Sequence, residues 1–318
     1  MQAEISVIIP TFDRIDSLLR CLAALQKQTM EQARIEIIVV DDGSTDGTRD
    51  RLQPFISNGS VRCSFQPNFG PARARNVGIR AATGKVLLFI GDDIMATPRL
   101  LEEHLSYHTR FADEPLAVVG FTDWSTNLEI TPLMKYPGID QFGYHRIRQR
   151  NVDPQNLPFN FFYTSNVSIS RRFLIENDLF FDEDFAFAMG EDGELAYRMQ
   201  KRGLRIVYNP RALAYHEHPM TFEYVCRRWF LRGQVAVLQA KKHPELGDLS
   251  FLHLSWKGRF KRQAYRLAAF LISPLLELAD RQRWDICRSG LCKWYDFVFQ
   301  VRQFEGLRNG LRVYDVDI

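Results

Sequence analysis

From Ile5 to about Phe121 the chain alternates short, nearly continuous apolar runs with segments of helical periodicity. The runs are Ile5 to Ile9, Ile35 to Val40, Val61 to Phe65, Val86 to Ile90 and Leu116 to Phe121. Helical patterns fall between them, around Ser17 to Gln28, from about Asp46, over Pro71 to Ala82 and over Pro98 to Arg110. Continuous apolar runs belong to strands buried on both faces, and strands separated by helices join in parallel. The expectation is an α/β fold with a mostly parallel sheet flanked by helices. Pro71 suits a first helical turn, and Gly84 closes that helix before the next strand.

Between about Asp123 and Phe161 the periodicity breaks down, with Trp124, Tyr136, Phe142 and Tyr144 scattered among Pro and Gly, which predicts a long substrate loop or lid. Order returns with an alternating strand at Ser165 to Ile169 and a helix through Phe173 to Ile175. A helix at Glu191 to Arg202, a short strand at Ile206 to Tyr208 and a long amphipathic helix at Phe222 to Lys242 follow. From about Pro244 basic and aromatic residues precede the apolar run Leu267 to Leu278. The predicted organisation is a catalytic domain over 1–245, with halves at about 1–121 and 122–245, and a helical C-terminal region over 246–318.

Two of the apolar runs end in paired acids, Asp41-Asp42 before Gly43-Ser44 and Asp92-Asp93 after Gly91. In an open α/β sheet the ligand lies beyond the carboxyl ends of the strands, so acids there line a site. Turn chemistry is the competing reading for Asp41-Asp42-Gly43-Ser44. No Gly-x-Gly-x-x-Gly or P-loop follows the first strand, where Ile9-Pro10-Thr11-Phe12-Asp13-Arg14 stands instead, so a dinucleotide site is disfavoured. Diphosphate charge would then fall to a divalent cation and basic side chains, with Asp92 and Asp93 as anchor. Mg²⁺ or Mn²⁺ takes one or two carboxylates and fills its shell from phosphate and water, so Asp93 alone could suffice.

Pro10 to Arg14, Val39 to Thr48, the Pro71 to Gly78 helix, Phe89 to Asp93, Phe181 to Phe185 and Gly190 to Arg198 together resemble, in order and spacing, family 2 glycosyltransferases. The resemblance covers roughly residues 4–220 and implies a GT-A fold and an inverting, metal-dependent transfer. It implies that Thr11 and Asp41 or Asp42 contact the base and ribose of a nucleotide sugar, and that Arg73, Arg75 and Asn76 hold the nucleotide from their helix. Asp92 would sit at the ribose, Asp93 on the metal and Asp192 would be the base. A histidine near this place is frequent in the family, which points to His216, ahead of His218, as a metal or phosphate ligand. One carboxylate on the wall facing the donor suffices for one-step inversion, although Glu191, Asp192 and Glu194 would also suit a helix N-terminus.

Two departures qualify the match. Gly91 replaces the first acid of the usual Asp-x-Asp, leaving fewer carboxylates for the metal. The processive Gln-x-x-Arg-Trp is absent, with Val225 to Trp229 in its place, so one sugar per acceptor is expected. The expected partners are a nucleoside-diphosphate sugar, a UDP-sugar first, and a glycan or lipid-linked acceptor of polysaccharide biosynthesis. Rival readings are a catalytically silent nucleotide-sugar sensor and a nucleotidyltransferase.

A formal charge of +3 is too mild to imply nucleic acid. Five cysteines, at 21, 63, 226, 287 and 292, form no disulfide or zinc framework, and the N-terminus enters a strand without a basic segment and apolar run. Both predict a cytoplasmic protein. The 267–278 run is too short to span a membrane, so the tail is expected to pack on its own domain or a homodimer partner, or to lie peripherally on the cytoplasmic face of a membrane.

Overall fold

The computed structural model describes residues 3–112, 114–136, 147, 152–247, 256–282 and 292–316. Phe142, Tyr144 and Cys287 lie outside them, as do the side chains of Trp256, Arg259, Lys261 and Arg262. The chain forms two compact units, Met1–Leu128 with Phe142–His218, and Glu129–Gln141 with Pro219–Ile318. The sequence puts the change of character near residue 245. By contact the division comes earlier, because the Phe222–Lys242 helix packs on the last helix of the chain, with Trp229 stacked on Phe299 at 5.7 Å.

The first unit holds strands β1 (Ile5–Thr11), β2 (Ile35–Asp41), β3 (Arg62–Phe65), β4 (Val86–Ile90), β5 (Ile94–Ala96), β6 (Leu116–Trp124), β7 (Asn166–Ser170) and β8 (Arg205–His216). They form one sheet in the order β3-β2-β1-β4-β7-β6-β8-β5. Parallel pairing joins β1 to β2 and β4, β2 to β3, and β6 to β8, as the alternation predicts. β7 runs antiparallel to β4 and β6, and β5 antiparallel to β8. Helices α1 (Ile15–Leu25), α2 (Thr48–Ser57), α3 (Pro71–Ala81), α4 (Leu100–Arg110), α5 (Arg171–Glu176) and α6 (Glu191–Gln200) complete the unit.

Every residue of β4 is buried, as its unbroken apolar run requires. Alternate side chains divide between two cores. Ile8, Ile38, Leu87 and Phe89 pack with α3, α5 and α6 on one face, while Val7, Ile9, Val39 and Leu88 pack with α1 and α4 on the other.

Strand β8 is longer than the Ile206 to Tyr208 segment that its sequence suggests, because Pro210 reads as a terminator. Its register against β6 passes from Gly120↔Asn209 to Phe121↔Leu213, so Pro210, Arg211 and Ala212 bulge out and the strand resumes. Asn166 Nδ2 donates to the carbonyls of Phe121 and Ala212 at this point. Position 120 must be glycine, since a Cβ there would meet the Ala212 carbonyl at 2.4 Å. With both amide hydrogens engaged, Asn166 Oδ1 must accept from His104 Nε2, and the His104 Nδ1 lone pair then accepts from Ser168.

This network needs a neutral imidazole, and burial lowers His104 to about 4. A histidine depressed from 6.5 leaves the unfolded chain binding more protons between those values, so stability is full above about pH 6.5 and falls as pH drops towards 4. Urea melts at pH 7 and 4.5 should differ by a few kcal/mol, on the order expected for a shift of this size. His104→Leu should reduce that dependence, leaving the share of His108, which burial lowers to about 3, while lowering stability at pH 7 by roughly 2–3 kcal/mol, because Asn166 remains buried without its partner.

Candidate functional site

The carboxyl ends of β1, β4 and β8 converge on the second acid pair. Thr11, the last residue of β1, donates through Oγ1 to Asp92 Oδ2 at 2.8 Å. Three residues on, Arg14 spans both acids, with one guanidinium nitrogen 2.9 Å from Asp92 and the other 2.7 Å from Asp93 Oδ2. The resumed half of β8 pairs His216 opposite Ile94 of β5, which brings His216 Nε2 to 3.1 Å from Asp93 Oδ2. His218 Nδ1 lies 3.1 Å from Arg14 and 4.0 Å from Asp93. Trp124, at the end of β6, stacks on the His216 ring at 5.3 Å.

Burial pushes Asp92 up to about 7, against the pull of Arg14 and with the push of the Asp93 charge. Burial would raise Asp93 as well, but His216 and then Arg14 hold it far below the usual carboxylate range. The cluster therefore keeps one firmly ionised carboxylate beside a proton-sharing one. A Cβ on Gly91 would meet Asp93 Oδ1 at 2.6 Å, so the missing first acid leaves the space into which the Asp93 side chain turns back.

Asp93 Oδ2 and His216 Nε2, 3.1 Å apart, are one oxygen and one nitrogen of the kinds that Mn²⁺ accepts. Among the described residues no group of three or more His, Cys, Asp or Glu is placed to hold an ion. Two protein donors would leave most of a cation's shell to other ligands.

The first acid pair divides its work. Asp42 accepts from Gln66 Nε2, Phe69 N and Gly70 N at 2.6–2.9 Å, so both its oxygens fasten the loop that leads into α3. Asp41, buried at the end of β2, accepts from Ser44 N at 3.0 Å in a local turn.

Helix α3 links the strand ends to the Glu191-Asp192 segment. Arg75 pairs with Glu191 at 2.8 Å, both side chains under 10% exposed. Asn76 brackets Phe181 by accepting from its N–H and donating to its C=O, each at 2.9 Å, and also donates to Glu183. Arg73 lies on the exposed side, over the Phe69 ring at 3.8 Å. Glu191 is raised to about 7 by burial and by Asp192, against the pull of Arg75. Asp192 itself is half-buried in the first turn of α6 and accepts from Gly193 N.

Arg14 was not among the residues singled out from the sequence. It closes the Pro10 to Arg14 motif, which gives it a place in the resemblance but no role. Asp13, with φ of +50°, turns the chain so that Arg14 points back over the strand ends, and it is held by Asp13 Oδ1 accepting from Thr45 N.

The family model for glycosyl transferase family 2 matches residues 6–176, more than half of the chain. Validoxylamine A glucosyltransferase of Streptomyces hygroscopicus is 30% identical over 283 residues, covering 80% of this chain and 65% of that protein. Among solved structures, the mannosyltransferase PcManGT from Pyrobaculum calidifontis in complex with GDP-Man and Mn²⁺ aligns over 100% of this chain and 89% of its own, at 18% identity and a TM-score of 0.64. TarS 1–349 of S. aureus in complex with UDP aligns over 96% of this chain and 92% of its own, at 17% identity and a TM-score of 0.55. Both structural likenesses are likenesses of fold, and they match the GT-A expectation.

The Arg75–Glu191 pair permits a direct test of the link between α3 and α6. Arg75→Met leaves Glu191 buried without its cation and should lower stability by roughly 3 kcal/mol at pH 8, where the carboxylate is ionised. The double substitution Arg75→Met with Glu191→Leu should recover most of that loss in urea melts.

Proposed function

The chain belongs to glycosyl transferase family 2, and on that premise we propose that it moves a single sugar, with inversion, from a nucleoside-diphosphate sugar to a hydroxyl of a saccharide or lipid-linked glycan. One observation carries this reading. The helix that flanks the nucleotide-side strand ends, α3, also holds Glu191 through Arg75 and the Phe181–Glu183 segment through Asn76. Donor and acceptor groups are thereby fixed to one element, as a one-step displacement demands.

In this reading Thr11, Asp41 and Asp92 receive the base and ribose. Of the two arginines on α3, Arg73 is the one 45% exposed and suited to reach donor phosphate, whereas Arg75 acts through Glu191 as a positioning residue. Asp93 and His216 hold a divalent cation, Mn²⁺ or Mg²⁺, which when bound neutralises the diphosphate as its charge develops. Arg14 keeps the two buried carboxylates together until the donor arrives. Glu191 pairs with Arg75, and the family resemblance gives the base role to Asp192. It takes the proton of the acceptor hydroxyl while that oxygen attacks the anomeric carbon and the bond to the diphosphate breaks. The named relative is a glucosyltransferase, and the two structural neighbours hold GDP-Man or UDP, which supports a donor of this chemical class.

Release of nucleoside diphosphate from a panel of UDP-, GDP- and dTDP-sugars with Mn²⁺ or Mg²⁺ tests the reading, and no release from any donor would overturn it. Asp192→Asn keeps the shape but accepts no proton, so transfer should fall by roughly a hundredfold or more while donor affinity stays within about twofold of wild type. Asp93→Ala should abolish the enhancement of nucleotide binding by divalent cation, read by calorimetry with and without the metal.

A further inference from the structure

The second unit contains a helix that is apolar on two sides. Its helices α7 (Phe222–Lys242), α8 (Trp256–Arg281) and α9 (Cys292–Val313) pack with the 129–136 segment. Ala269, Leu276 and Ala279 of α8 are buried, and Leu276 O accepts from the hydroxyl of Tyr295 on α9. Asp280 anchors the same side by accepting from Leu133 N at 2.8 Å. The inner stripe of α8 is therefore satisfied.

The outer stripe is not. Leu267, Phe270, Leu271 and Leu275 are 60–69% exposed and Leu278 is 45% exposed. They recur at three- and four-residue intervals, the spacing of one helix face. An apolar face of five large side chains on one helix is a surface that expects cover.

Charge identifies what covers it. Residues 219–318 carry seventeen Lys and Arg against ten Asp and Glu, although the whole chain has a formal charge of only +3. The opposite balance is thus confined to the rest of the chain. Within α8, Arg259, Lys261, Arg262 and Arg266 occupy the turns that lead into the apolar face, and Arg281 ends it. Of these, Arg266 and Arg281 are exposed and pair with Glu305 and Glu277. A second copy of this unit would bring together two units of the same net positive charge. An anionic surface with an apolar interior meets both the charge and the stripe, and among the described residues no helix is long and apolar enough to cross a membrane.

We propose that α8 is a peripheral membrane-binding helix that lies in the interface of an anionic lipid bilayer, with Leu267, Phe270, Leu271 and Leu275 entering the acyl boundary and its basic turns at the headgroups. The geometry is independent of the catalytic reading and stands whether or not the acceptor is lipid-linked.

The test is co-sedimentation of the full chain with vesicles of phosphatidylcholine, alone or with about 30% phosphatidylglycerol, at roughly 50 and 500 mM NaCl. The chain should pellet with anionic vesicles at low salt and lose at least about tenfold in binding at high salt or without anionic lipid. Phe270→Ser, Leu271→Ser and Leu275→Ser combined alter only exposed positions, so the fold should persist by circular dichroism while anionic-vesicle binding falls by at least about tenfold. Failure of the wild-type chain to pellet at low salt, or undiminished binding by the triple variant, would overturn the proposal. So would a wild-type dimer that the triple variant converts to monomer in light scattering without any vesicle binding, since a second copy would then be the cover.

Discussion

Two neighbouring carboxylates buried at the end of a central strand repel each other and lose hydration, so they persist only if cations and donors are brought to them. Much of the first unit meets that constraint. The end of β1 supplies Thr11 and, one tight turn later, Arg14, while the end of β8 supplies His216 and His218. Glu217 fixes that strand end by accepting from Arg20, Ser125 and Asn127, so the histidines are placed by a carboxylate that points the other way. The arrangement stores a strongly ionised acid in a nearly dry position, where an incoming cation or hydroxyl feels it most.

Much of this is legible in the amino-acid sequence. Nearly continuous apolar runs define β1, β2 and β4 and their parallel pairing, and Pro71 marks the start of α3 to the residue. The acid pairs looked alike in sequence, yet Asp42 fastens a loop while Asp92 and Asp93 sit in the cluster, because only long-range packing decides which donors reach a carboxylate. The division between Arg73 and Arg75 could have been read from helical spacing, since residues two apart point to different faces. Arg14 could not, because its placement depends on the left-handed turn at Asp13.

The tail shows a different limit. The run Leu267 to Leu278 is apolar apart from Ser273, Pro274 and Glu277, and periodicity does not separate an inner stripe from an outer one when both are apolar. Leu275 and Leu276 are adjacent in sequence, yet one is 64% exposed and the other 1%. Contact with α9 and the 129–136 segment makes that distinction, and both lie far away along the chain.

The bulge in β8 has a consequence for how this chain tolerates change in length. Side chains along a strand alternate faces, so the three bulged residues set the parity of everything after them. With regular pairing kept on either side, removing or adding one residue between Asn209 and Leu213 would move the His216 ring to the opposite face of the sheet, while leaving every side chain of the cluster present in the sequence. The segment behaves as a counter, in which a fault of a single step would disarm the cluster without touching any member of it. Substitutions there should be far better tolerated than indels, the reverse of what a surface loop would show.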